Sequence, residues 1–441
     1  MKTQRSANLI YHSEPKPGKL EIISSKPCKT QDDLAKAYTP GVAEPCLEIK
    51  NCPEKVYDYT GKGNTIAVVS DGTAVLGLGN IGPEAGLPVM EGKSVLLKRF
   101  ADIDSVPICL SKVFNAEGNT DANKLIQVVE CLEPSFGGIN LEDIASPACF
   151  IVEPELKRRM NIPVFHDDQH GTAIISLAAL LNAATFLGKK LSDLKIVVNG
   201  AGAAGLSCAL FYVKAGVRKE NVILCDKTGV VTKDNYPSER ALQLATTRPV
   251  KTLADALRGA DMFLGCSVRN CVTQEMIRSM APNPIVFAMA NPVPEISPED
   301  ALEAGAAVLG TGRTDYPNQI NNVLGFPGIF RGALDVRAKD ITDSMCIAAA
   351  KALTEITQAE IPADILAELT KAYPKDAANG VFAGKKPLKA TYVLPKPFDP
   401  RVVPHVARCV AEVAIREGIA QKEIKDFDAY EKSVIERLKN H

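Results

Sequence analysis

Apolar residues along the first part of the chain fall in short runs closed by turn formers. "NTIAVVSDG" sets β-branched residues against Asp and Gly and predicts a buried strand, and "VPICLSKVF" predicts another. Between them, "SVLLKRFA" has helical spacing. "TDANKLIQVVECLEPS" repeats apolar residues at helical intervals behind a Thr-Asp cap, and "GGINLEDI" reads as a strand passing into a loop. Nearer the start, "QDDLAKAY" predicts a short helix stopped by the breaker "TPGVAEP". Strands alternating with helices in this way predict a mostly parallel sheet covered on both faces.

The pattern changes at "IPVFHDDQHGTAIISLAALLNAATFLGK", where a short strand meets a long helix with Thr172 near its start and Gly188 near its end. "LKIVVNGAGAAGLSCALFYVKAG", "NVILCD", "DMFLGCS" and "PIVFAMANP" then each give a strand followed by a helix-prone segment. The fold class expected is therefore α/β, an N-terminal α/β domain followed by a Rossmann-like doubly wound unit. The expected division is an N-terminal catalytic domain over 1–165 and a dinucleotide-binding domain over 166–345. A mainly helical C-terminal segment over 346–441, broken by "VLPKPFDPRVVP", is expected to pack on the body or on a second subunit.

Composition narrows the class. A chain of 441 residues is long enough for two or three domains, and a formal net charge of −1 with both signs scattered gives no electrostatic case for nucleic acid or an anionic membrane. No apolar run approaches the roughly 20 residues needed to cross a bilayer. The opening residues lack the apolar core of a signal peptide, and twelve cysteines without a C-x-x-C pair read as reduced thiols filling core space. The expectation is a cytoplasmic globular protein.

G-x-G-x-x-G occurs twice. Gly77, Gly79 and Gly82 are followed at once by Pro83, and the acids about twenty residues on, Asp102 and Asp104, precede a strand, so a loop with no long helix behind it is expected. Gly200, Gly202 and Gly205 differ. A β-branched strand enters the loop "GAGAAG" (Gly200, Ala201, Gly202, Ala203, Ala204, Gly205), an apolar helix leaves it, and the next strand ends at Asp226. Glycines let the backbone approach a pyrophosphate at the helix N-terminus, and the acid can bind ribose hydroxyls. Asp226 favours NAD, whereas Lys227 beside it can turn toward a 2′-phosphate, so NAD and NADP both stand.

"HDDQHGTA" raises a second question. His166 and His170 stand four apart as in a zinc protease, but that site needs H-E-x-x-H within a helix, and here the run begins at a strand end with Asp in place of Glu. Asp168 together with Glu142 and Asp143, which follow another strand, instead suits a hard oxygen site for Mg²⁺ or Mn²⁺, because strand carboxyl ends face the ligand crevice of parallel sheets.

With "AYTPGVAEPC", "MEGKSVLLKRFADID", "NLEDI", "VFHDDQHGTA", "NGAGAAG", "ANPVPE" and "QINNVLGFPG" in one chain, the sequence resembles the malic enzyme family, nearest in length to its smaller, bacterial-type members. The resemblance implies Glu142, Asp143 and Asp168 as metal ligands, Lys93 as general base and Tyr38 as general acid. It implies Asn291 and Asn321 as contacts to substrate or nicotinamide, and a homo-oligomer, most simply a dimer. Asp167 is expected to orient the base or the metal shell. The implied reaction takes L-malate to pyruvate and CO2 while reducing NAD(P)⁺. A metal-free dehydrogenase of the amino-acid type, or a non-catalytic dinucleotide sensor, is the alternative. Lys93, ahead of "SVLLKRFA", is expected near a helix N-terminus with its pKa lowered from about 10.4. Where larger members carry an arginine clamp for a substrate carboxylate, this chain has Ala74 and Val75. His166 and His170 replace amides of those members. The phosphotransacetylase-like extension of some bacterial members is missing, so no regulation through it is expected.

Overall fold

The computed structural model describes residues 5–235 and 238–439. Four parallel strands form the first sheet: β1 (Thr65–Ser70), β2 (Asp104–Cys109), β3 (Gly138–Leu141) and β4 (Val164–His166), in the order β2-β1-β3-β4. Six form the second: β5 (Ile196–Asn199), β6 (Val222–Asp226), β7 (Gly229–Val230), β8 (Met262–Gly265), β9 (Ile285–Ala288) and β10 (Val308–Thr311). Their order is β10-β9-β8-β5-β6-β7, parallel except for the β6–β7 hairpin. The chain turns to opposite sides after β5, so the carboxyl ends of β5 and β8 flank a topological switch point, where doubly wound sheets hold their ligands.

The inner strands, among them β1, β3, β5, β8 and β9, are short, mostly apolar runs buried on both faces, as a parallel sheet between helices requires, whereas the edge strand β2 is partly exposed. The helix Asp167–Phe186 joins the two sheets and is apolar almost all round, because it packs in the interior of the molecule instead of lying on a surface. The tail returns to the body. Helix Val402–Arg416 packs on helix Phe326–Asp335, and in the last helix Arg437 pairs with Asp102 at 2.7 Å.

Four local expectations are corrected. A long helix, Pro83–Ala101, does open straight after the first glycine motif; Pro83 sits at its first turn, where a missing N–H costs nothing and the fixed φ suits the helix. Lys93 consequently lies in the middle of that helix, away from its N-terminus. The "TPGVAEP" break is shorter than expected, since helix Ala43–Asn51 starts within it. Cys149, Cys208, Cys225 and Cys346 fill the core as expected, but Cys28, Cys46, Cys52 and Cys131 are exposed.

The N-terminal segment behaves unlike the rest. Helices Ala7–Ser13, Gln31–Ala37 and Ala43–Asn51 contain no buried residue, and Ile22 and Ile23 are 97% and 81% exposed.

Candidate active site

Strand register brings the acids together. β3 and β4 pair in parallel with Leu141 opposite His166, so Glu142 and Asp143 leave one strand beside Asp167 and Asp168 leaving the next. One oxygen each from Glu142, Asp143 and Asp168 lie within 4.8 Å of one another. The Asp143 backbone, at a left-handed φ of 55°, donates its N–H to Asp168 Oδ2 at 2.7 Å, and Asn140 donates to Glu142 Oε2 at 2.8 Å. Lys93 reaches in from its helix to Asp167 (2.6 Å) and Glu142 (3.0 Å).

Four carboxylates around one ammonium leave an excess of negative charge. Burial would push Lys93 down, but Asp167 and Glu142 outweigh it and the net shift is upward, contrary to the lowered value expected from sequence. Glu142 is raised by its burial and by Asp168, Asp167 and Asp143, against the pull of Lys93. Asp167 Oδ1 is buried without a hydrogen-bond partner. An all-oxygen set with uncompensated charge fits a hard divalent cation.

Asn322 was missed from sequence, where only its neighbour Asn321 was singled out. Its Nδ2 donates to Asp167 Oδ2 at 2.8 Å, fixing the carboxylate that holds Lys93. Asn321 lines the crevice but spends its Oδ1 on capping Val323 N–H. Gly171 makes room for this pair: a Cβ there would stand 2.3 Å from Asp167 Oδ1 and 2.6 Å from Asn322 Nδ2. Gly171→Ala gains about 1 kcal/mol of helix propensity, but overpacking against a buried ion pair costs about 1–3 kcal/mol. A net fall in the urea midpoint is the expected result.

The two histidines do not form a pair for zinc. The helix begins at Asp167, five residues before Thr172, with His166 at its cap and His170 in its first turn. His170 Nε2 turns to the buried Glu153 at 2.8 Å, and His166 is buried and kept neutral by desolvation. Burial alone would raise Glu153, but His170, by charge and hydrogen bond, and Lys157 outweigh it and hold it down at about 2. Its folded pKa lies below the unfolded value of about 4.3, so its stabilisation is complete above that pH and vanishes as pH falls toward 2. Glu153→Gln should cost roughly 3 kcal/mol at pH 7, and the gap to the wild type should close between pH 4.3 and 2, as urea unfolding at the two extremes can measure.

The second glycine loop follows β5. Gly200 has φ 120° and a Cβ would meet Cys266 O at 2.3 Å; a Cβ on Gly205 would meet Gly200 O at 2.0 Å, so both are held to glycine by close packing. A Cβ on Gly202 would meet nothing within 4 Å, leaving open space at the head of helix Ala203–Lys214. Gly200, Ala201, Gly202, Asp226 and Lys227 line a cavity of about 660 Å³, and Lys251, not anticipated from sequence, lines it too. A crevice of about 680 Å³ beside it is lined by Lys93, Glu142, Asp143, Asp167, Asp168, Ala204, Asn291, Asn321 and Asn322. Cys266 and Ser267 form part of both walls, so the two cavities adjoin. Buried Glu295 fixes that shared wall by accepting the Ser267 N–H at 2.9 Å. Tyr38 is not brought there: it ends helix Gln31–Ala37, is 69% exposed, and is not among the crevice residues.

A small parallel sheet and a doubly wound sheet, meeting at an acid-lined crevice beside a glycine loop, define an α/β architecture of the dinucleotide-binding class. Residues 17–157 match the malic enzyme N-terminal domain and residues 169–375 the malic enzyme NAD binding domain. The chain belongs to the malic enzyme family. It is 49% identical over 432 residues to the NADP-dependent malic enzyme of Escherichia coli, covering 97% of this chain and 54% of that one. The bifunctional malic/malolactic enzyme of Bacillus subtilis is 49% identical over 422 residues, 94% of each chain. The crystal structure of malic enzyme from Pyrococcus horikoshii superposes with a TM-score of 0.86 at 43% identity, covering 98% of this chain and 95% of that one. The chain spans about half the length of the first curated relatives it matches. Among the described residues no helix is long and apolar enough to cross a membrane.

Proposed function

We propose that the chain carries out the oxidative decarboxylation of L-malate to pyruvate and CO2 with reduction of NAD⁺ or NADP⁺, dependent on Mg²⁺ or Mn²⁺. The observation that supports this reading best is the meeting of Glu142, Asp143, Asp168 and Lys93 in a crevice that shares a wall with the glycine-loop cavity. Glu142, Asp143 and Asp168 would hold the cation. When bound, it supplies Lewis acidity toward the C2 hydroxyl and the later negative charge, and offsets the carboxylate field that keeps Lys93 protonated.

Lys93, held by Asp167, takes the hydroxyl proton as hydride leaves C2 for the nicotinamide. Loss of CO2 then leaves electron density on C3, and Tyr38 delivers a proton there. The proton held by Lys93 returns to Tyr38, so the chain ends each cycle as it began. Asn291 and Asn321 offer neutral amides to the substrate or the carboxamide. The glycine loop carries the pyrophosphate, and Asp226 with Lys227 meets the adenosine ribose.

Tyr38 belongs to the exposed apolar N-terminal segment, and this joins its role to oligomerisation. We propose a homodimer in which that segment packs on a second copy and carries Tyr38 to the partner's crevice. Twelve free cysteines, several exposed, suit a reducing compartment such as the cytoplasm. The test of the reaction is an assay with malate, Mn²⁺ and either NAD⁺ or NADP⁺, following absorbance at the reduced-nicotinamide band together with pyruvate. Equal amounts of both products, lost on EDTA treatment and restored by Mn²⁺, are expected. Full activity in EDTA would favour the metal-free dehydrogenase, and coenzyme binding without product would favour the sensor.

A further inference from the structure

Malate carries two carboxylates. The one beside the hydroxyl belongs with the cation at the acid cluster, and the other keeps a full negative charge in a crevice already lined by four acids. Ala74 and Val75 offer it no cation. Among the described residues two cationic side chains line this crevice, Lys93 and Lys19. Lys93 is taken up by Asp167 and Glu142. Among the described residues the Lys19 ammonium forms no ion pair with a carboxylate, its partners being Pro88 O and His12 Nε2.

Lys19 is also held in place. Gly18, at φ 84°, turns the chain so that the Lys19 backbone N–H is donated to Glu91 Oε2 at 3.2 Å. Lys19 Nζ donates to Pro88 O at 2.6 Å and stands 3.2 Å from His12 Nε2. It lies 3.5 Å from the place a Cβ on Gly92 would take. Glu91, Gly92 and Lys93 are consecutive on one helix: the first tethers Lys19, the second leaves it room, and the third enters the acid cluster. An ammonium has three N–H donors, and these two neighbours use two of them. Partial burial pushes Lys19 down and Glu91 pulls it up, with burial the larger effect. A group desolvated in this way gains from an anionic partner.

From this placement we infer that Lys19 binds the second carboxylate of the substrate and makes the crevice selective for a 2-hydroxy dicarboxylate. The inference rests on the malate reading above and goes beyond it by naming the group that replaces the arginine clamp. Because Lys19 holds the carboxylate before and during hydride transfer alike, its contribution falls on substrate binding rather than on the chemical step.

The experiment compares Lys19→Met and Lys19→Arg with the wild type, all with Mn²⁺ and coenzyme. Loss of one charged hydrogen bond should raise the KM for malate about 30-fold in Lys19→Met, with kcat within about 3-fold. Lys19→Arg should recover most of the loss. Oxalate, which reaches the acid cluster but has no second arm to offer Lys19, should inhibit Lys19→Met as well as it inhibits the wild type. A role limited to holding Glu91 and Pro88 would weaken oxalate and malate together and lower the thermal midpoint, and that result would overturn the inference. So would an unchanged KM for malate. A wild-type protein that does not turn over malate at all would instead remove the reading on which this rests.

Discussion

Replacing Asp168 with alanine is expected to cut malate turnover by about three orders of magnitude or more while leaving coenzyme binding intact. Lewis-acid stabilisation contributes several kcal/mol, and about 4 kcal/mol is roughly a thousandfold in rate. Asp168 is one of the three proposed cation ligands, and it also accepts the N–H of Asp143, whose positive φ depends on such local support. Losing it removes one ligand and takes from a second the acceptor of its backbone N–H. The glycine-loop cavity reaches the crevice through Cys266 and Ser267 and does not touch Asp168. Titration with Mn²⁺ should therefore show weakened binding, and titration with NADP⁺ or NAD⁺ should not. A variant with wild-type turnover and wild-type Mn²⁺ affinity would remove the cation from the proposal. Asp168→Asn is the control for shape, since it keeps the side chain's volume without its charge.

Strands were the most legible part of the chain. "TIAVVS", "KIVVN" and "NVILCD" are β-branched runs closed by turn residues, and they lie where expected as β1, β5 and β6. The glycine loop was legible because three elements agree: the strand before it, the helix after it, and Asp226 at the end of the next strand. β7 and β10 escaped notice, one being two residues long and the other, "VLGT", too short and mixed to show a pattern.

The neighbourhood of Lys93 was harder to read. Its pKa depends on Asp167 and Glu142, 74 and 49 positions further on, and only the register of β3 against β4 brings these acids to it. Periodicity carries no information of that kind. Asn322 was passed over for the same reason: its partner Asp167 lies 155 residues away. Glu153, the acid that explains both histidines, sits inside an ordinary-looking helix, "CFIVEPELKRR". A buried carboxylate in such a sequence cannot be told from a solvated one until the fold decides which face turns inward.

The position of Tyr38 leads to the second prediction, a mixing experiment. Tyr38→Phe and Lys93→Ala should each be almost inactive, since a positioned acid or base contributes about 10²- to 10⁴-fold. Mixed in equal amounts and allowed to exchange subunits, the two should regain roughly a quarter of wild-type activity. Half of the dimers would then be mixed. In a mixed dimer with exchanged tyrosines, one site combines both defects and the other has neither. Were Tyr38 to serve the crevice of its own chain, each site of the mixed dimer would still lack one group, and activity would stay at the level of the parents. The exposed surface around Leu34, Tyr38 and Leu47, each more than half accessible in the single chain, is what a second copy would cover. Light scattering of Tyr38→Phe should still report a dimer, because removal of one hydroxyl leaves that apolar surface in place. A monomeric wild-type protein with full turnover would contradict the exchange outright, and Lys93 would then need a proton donor from its own chain.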